Sequence, residues 1–81
     1  MNEARLLVLY TTAGCHLCEQ AASMLAELEA QGQVRIEAVD IANDEQLVER
    51  YGIRIPVVKD VERDQEIGWP FAMGDLLRLI A

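Results

Sequence analysis

The chain has little of what marks most specialised folds. Its 81 residues include two cysteines, two prolines, one tryptophan and one phenylalanine. Two cysteines cannot staple the disulfide-dense scaffold of a small secreted domain. No internal repeat, low-complexity tract or Ser/Pro-rich linker interrupts the chain, so a single domain over residues 1–81 is expected. Cations are scarce: seven Lys and Arg stand against fourteen Asp and Glu, for a formal charge of −7. No basic cluster is present to neutralise phosphates, so nucleic acid is not an expected partner. Long apolar runs are also missing. Leu6 to Tyr10 is far too short to cross a bilayer or to form the core of a signal peptide, and Glu3 beside Arg5 does not suit a secretory leader. The expectation is a cytoplasmic protein that does not bind membranes and works as a monomer. In a reducing cytosol, a close cysteine pair is more often catalytic or metal-binding than structural.

Apolar residues make up 52% of the chain and charged residues 26%, ordinary proportions for a globular protein. A domain this short buries only about 60% of the surface its unfolded chain exposes, so its core is thin. The unbroken run Leu6-Leu7-Val8-Leu9-Tyr10 reads as a strand buried on both faces. From Leu17, apolar residues recur at Ala21, Met24, Leu25 and Leu28, the spacing of a helix, with Gly32 as its stop. Val34, Ile36 and Ala38 alternate with Arg35 and Glu37 as a second strand closed by Asp40.

Asn43 is placed as the N-cap of a short helix ending near Gly52, with Asp44 and Glu45 in its first turn. A third strand is expected to begin at Ile53-Arg54-Ile55-Pro56-Val57-Val58. A polar turn through Asp64 leads to a fourth strand at Gln65 to Gly68. After Trp69-Pro70, residues Leu76, Leu77, Leu79 and Ile80 mark a last helix. The order βαβαββα predicts an α/β fold in three layers, a four-stranded mixed sheet with helices on both faces. Strands joined by helices are expected to be parallel with right-handed crossovers, and the last two strands antiparallel.

The chemistry centres on Cys15-His16-Leu17-Cys18. A thiolate, not a thiol, attacks a disulfide, and a free cysteine of pKa about 8.5 is mostly protonated near neutrality. Cys15 falls at the helix N-terminus, where unpaired N–H groups and the helix dipole favour an anion, and Cys18 lies one turn in. Cys15 is therefore the expected nucleophile and Cys18 the resolving thiol. His16 has two readings: a charge that tunes Cys15, or an exposed residue facing solvent. Trp69 and Phe71 read as core aromatics or as walls of a substrate groove.

The segment Leu9-Tyr10-Thr11-Thr12-Ala13-Gly14-Cys15-His16-Leu17-Cys18 resembles the active-site segment of glutaredoxins. Tyr51-Gly52-Ile53-Arg54-Ile55-Pro56-Val57-Val58 resembles the part of the thioredoxin superfamily that carries a cis-proline facing the cysteines. The late Trp69-Pro70-Phe71 is similar to a group of short bacterial glutaredoxin-like proteins. The resemblance spans nearly the whole chain and implies a thioredoxin-like fold with thiol-disulfide oxidoreductase activity. Cys15 and Cys18 are then catalytic, and Ile55 and Pro56 bind an extended substrate. No tightly bound cofactor or metal is implied.

Glutathione is one candidate reductant or substrate, and a protein disulfide is the other. The loop Thr11 to Gly14 lacks the basic residue with which typical glutaredoxins hold glutathione, and Gly74-Asp75 matches their γ-glutamyl segment only in part. Rival readings use the same cysteines: a copper carrier, zinc shared across a dimer, or an iron-sulfur cluster at a dimer interface. A redox-inert binding module is the remaining alternative.

Overall fold

The strand Arg5–Thr11 (β1) lies at the centre of the protein, with Leu7, Val8 and Leu9 buried between two layers of helix. The computed structural model describes residues 4–81. Glu3, and the first residues of the expected domain, lie outside them. Helix His16–Ala30 (α1) follows, then strand Val34–Asp40 (β2), a 3-10 turn at Ile41–Asn43 and helix Glu45–Tyr51 (α2). Strands Val57–Asp60 (β3) and Gln65–Gly68 (β4) form a hairpin, and helix Met73–Ile80 (α3) ends the chain. The sheet order is β2-β1-β3-β4.

Alternation of side chains sorts the apolar residues into two cores. On one face Leu7, Leu9 and Val58 pack with Ala21, Leu25 and Leu28 of α1 and with Leu76 and Leu79 of α3. On the other, Tyr10 and Val57 pack with Ile41, Leu47, Tyr51 and Ile55, so α2 and the 3-10 turn cover that face. Helices thus lie on both faces, as expected. Phe71 is buried in the larger core and Trp69 packs edge-on against it, with ring centroids 5.1 Å apart, which favours the core reading of both aromatics.

Strand direction differs from the expectation. β1 and β2 are parallel, but β3 runs antiparallel to β1 and therefore to β2, although a helix joins β2 to β3. Helix length gives the reason. The seven residues of α2 rise only about 10 Å, whereas the seven of β2 span about 23 Å. So short a helix cannot carry the chain back along the sheet, and β3 starts at the end where β2 stopped. Tyr10 pairs with Val57, and Thr11 with Asp40, at that shared end.

Three local expectations also shift. The N-cap of α2 is Asp44 rather than Asn43, because the Asp44 carboxylate accepts the N–H groups of Gln46 and Leu47 at 2.9 and 3.3 Å. Asp40 caps the unforeseen 3-10 turn in the same way through Ala42 N–H. The third strand begins at Val57, not Ile53. The N–H groups of Arg54 and Ile55 both turn back to the Tyr51 carbonyl, and Pro56 has no N–H to offer a ladder. Finally, Leu77 faces outward while Leu76 and Leu79 face the core.

The end of the sheet remote from the cysteines is closed by one buried carboxylate. Asp60 is fully buried; its Oδ1 accepts N–H bonds from Glu62 and Arg63 in the hairpin turn, and its Oδ2 meets Arg5 at 3.4 Å. Arg5 also donates to the Ile80 carbonyl at 2.6 Å, tying β1 to the end of α3. Asp60→Ala should cost about 2–3 kcal/mol, since two turn amides and a cation lose their acceptor together. Asp60→Asn, which keeps an acceptor for the amides, should cost less. Thermal melts check the order, and equal Tm values for the two variants would contradict it.

Candidate active site

The site is built where β1 ends. Thr12 accepts the Cys15 N–H at 3.4 Å across Ala13 and Gly14, and Gly14 takes φ of +77°. This is the geometry of a tight turn whose third residue needs a left-handed backbone, which glycine supplies without strain. The turn delivers Cys15 to the N-cap of α1. Its Sγ accepts the Cys18 N–H at 3.1 Å, satisfying a backbone donor that the helix itself leaves free. Cys15 and Cys18 are joined in a disulfide, with Cα atoms 5.2 Å apart.

The two cysteines are not equivalent. Cys15 is half-buried, whereas Cys18 is 3% exposed and packs beneath the helix start. His16 is the first residue of α1 and is exposed. Leu17, between the cysteines, is 44% exposed.

Ile55 and Pro56 arrive at the same end of the sheet by the β1–β3 ladder. Val57 pairs with Tyr10, so Pro56 continues past the ladder alongside the Thr11 end of β1. The Ile55-Pro56 bond is cis, as the resemblance implied, and Pro56 is buried. The Ile55 backbone is only half free. Its N–H donates to the Tyr51 carbonyl at 3.0 Å, while no protein group among the described residues donates to its carbonyl. The Pro56 carbonyl accepts the Trp69 N–H at 3.0 Å, and the Trp69-Pro70 bond is also cis.

Sequence reasoning missed what lies under this end of the sheet. Tyr51 is buried and stacks on Tyr10 with centroids 4.3 Å apart. Its hydroxyl donates to Glu66 Oε2 at 2.7 Å, and Glu66 Oε1 accepts from Arg54 at 3.2 Å. The guanidinium groups of Arg50 and Arg54 sit 5.5 and 5.7 Å from the Tyr51 ring centre. Burial, then the bond to the Glu66 carboxylate, pushes the Tyr51 hydroxyl up to about 12. Two tyrosines placed far apart in sequence gave no sign of this stack.

On the far side of the sheet, the Asp75 carboxylate accepts the Ala72 N–H at 2.7 Å at the start of α3 and also pairs with Arg78. The Ala72 N–H holds Asp75 below the usual carboxylate range, with Arg78 adding to the effect. Among the described residues no group of three or more His, Cys, Asp and Glu is placed to hold a metal. None of their helices is long and apolar enough to cross a membrane.

The model of the glutaredoxin-like domain, DUF836, matches residues 6–81. The chain belongs to this glutaredoxin-like family. Similar solved structures agree. The protein XcR50 of X. campestris is 38% identical, with TM-score 0.75 over 86% of this chain and 88% of its own. Protein Ne2328 of Nitrosomonas europaea is 33% identical, with TM-score 0.79 over 96% of this chain and 92% of its own. A malarial protein at 14% identity shares the fold, with TM-score 0.72 over 96% of this chain and 94% of its own. No curated protein matches. A glutaredoxin-like domain with two cysteines at disulfide distance supports a redox-type thiol function.

The Tyr51 cluster gives this domain a distinct alkaline response. Folded Tyr51 holds its proton above the ordinary value of 10.0, so its stabilisation is complete below pH 10 and is lost as pH rises through about 12. Tyr51→Phe should therefore lose less stability than the native chain between those values. Denaturant titrations at stepped pH measure this, and parallel losses in both proteins would contradict it.

Proposed function

We propose that this glutaredoxin-like domain is a cytoplasmic thiol-disulfide oxidoreductase that reduces disulfides through Cys15 and Cys18. The observation that carries the reading is the asymmetry of the pair: a half-buried cysteine at a helix N-cap, its sulfur bonded by an N–H, beside a buried one. The N–H and the helix dipole favour a thiolate at Cys15 once the pair is reduced. That thiolate attacks one sulfur of the substrate disulfide. A mixed disulfide forms, and the other substrate sulfur leaves as a thiolate that takes up a proton.

Cys18, giving up its own proton, then attacks the Cys15 sulfur and releases the second substrate thiol. The substrate has gained two electrons and two protons, and the protein is left as the Cys15–Cys18 disulfide seen in the structure. A dithiol, or two molecules of a monothiol such as glutathione, must return the electrons by the reverse exchange. Ile55 and Pro56 border the attack site, and the open Ile55 carbonyl accepts a backbone N–H of an extended substrate. His16, adjacent to Cys15 and exposed, adds positive charge when protonated.

Reduction of insulin by dithiothreitol tests the reading. The native protein should accelerate it and Cys15→Ser should leave the uncatalysed rate; equal rates would overturn the enzyme. Cys18→Ser should instead accumulate the mixed disulfide, visible by mass spectrometry. In the reduced protein, alkylation should be faster at Cys15 than at Cys18, with the midpoint of its pH profile below that of a free cysteine. If His16 contributes, His16→Ala moves that midpoint upward, and an unmoved midpoint removes His16 from the mechanism.

A further inference from the structure

We propose that Ile53 and Leu17 form an apolar lip at the Cys15 end of the sheet, selecting disulfides of neutral or basic proteins that carry an apolar residue beside the reacting cysteine. This rests on the oxidoreductase reading and names its substrate class. The first observation is Ile53 itself. It is fully exposed, in the turn between α2 and β3, where hydrogen bonds from Arg54 and Ile55 to Tyr51 fix the backbone. An isoleucine held on a fixed turn without burying any of its surface contributes little to folding. Leu17, between the cysteines, is the second large apolar side chain left in water here. The ladder places both at one end of the molecule, since the turn carrying Ile53 leads into Val57, which pairs with Tyr10, and β1 leads into Cys15.

Arg54 and Asp75, the charged groups a small anionic thiol substrate would draw on, are already committed within the fold. Thr11 to Gly14 contains no charge. Arg54, next to Ile53, is held by Glu66 and lies against the Tyr51 ring. Asp75, the carboxylate best placed by sequence to receive an α-amino group, is taken by Ala72 N–H and Arg78. The net charge of −7 opposes the approach of an anion and favours a neutral or cationic chain. Two exposed apolar side chains and the unbonded Ile55 carbonyl at this end, beside the exposed His16, complement an extended peptide with an apolar side chain.

The test compares turnover of four disulfides with dithiothreitol as reductant: a cationic cyclic peptide with Leu beside a cysteine, the same peptide with Ser there, a glutathione-mixed disulfide, and hydroxyethyl disulfide. The native protein should favour the Leu peptide over the Ser peptide in kcat/KM by about tenfold, the factor that burying roughly half an isoleucine side chain supports. In Ile53→Ser that ratio should fall toward one, with circular dichroism confirming the fold.

Equal use of the two peptides by the native protein would overturn the proposal, as would an unchanged preference in Ile53→Ser. A higher kcat/KM for a glutathione-mixed disulfide than for the Leu peptide would also overturn it. So would a native dimer that Ile53→Ser converts to a monomer in sedimentation, because the lip would then serve self-association. Failure to reduce all the disulfides, hydroxyethyl disulfide included, is a distinct result that overturns the oxidoreductase reading and this inference with it.

Discussion

Everything in this fold hangs on a central strand buried on both faces. β1 hydrogen-bonds to β2 on one side and β3 on the other, so its polar backbone is satisfied while its side chains feed both cores. Its last residues therefore occupy a fixed position, and the Thr12–Cys15 turn inherits that position. Cys15 reaches the N-cap because a rigid strand ends one tight turn before it. The same strand fixes the other half of the site, since the antiparallel ladder that ends at Tyr10 and Val57 sets where Ile55 and Pro56 lie.

Several charged groups of the domain are committed to contacts that build it. Asp60 closes the hairpin and meets Arg5, Glu66 joins Tyr51 to Arg54, and Asp75 caps α3 while meeting Arg78. Glu29 reaches from α1 to the Ile36 N–H of β2, where it takes a donor on an exposed edge strand that could otherwise recruit another chain. A thin core makes such contacts valuable, because each buried polar group left without a partner would cost a sizeable share of a small stability. The cysteine end is different: a half-buried sulfur, an open carbonyl and exposed apolar side chains lie together. On the proposed function, that end is the working surface.

Much of this was legible in the residues. The unbroken run at Leu6 to Tyr10 and the helical recurrence from Leu17 located β1, α1 and the turn between them, because burial on two faces and on one face leave different periodicities. The cysteine spacing then placed Cys15 at a helix start and Cys18 a turn later, and the packing beneath α1 left Cys18 the more buried of the two. The direction of β3 was not legible. It depends on how far a seven-residue helix can carry the chain, a comparison of lengths in space that pairing rules for helical crossovers do not contain. Ile53 was misread for a related reason: an apolar residue in a β-rich stretch looks like a strand until the backbone ahead of it is seen to fold back on Tyr51.

The sequence by itself determined the main elements, their order and the place of Cys15 at a helix start, because these rest on interactions between residues a few positions apart. Only the tertiary structure decided which ends of the strands coincide. It stacked Tyr10 on Tyr51, committed Arg54 and Asp75 to partners within the fold, and left one backbone group of Ile55 open rather than two. Those outcomes depend on contacts between segments distant in the chain, whose geometry is settled when the two cores pack against the sheet.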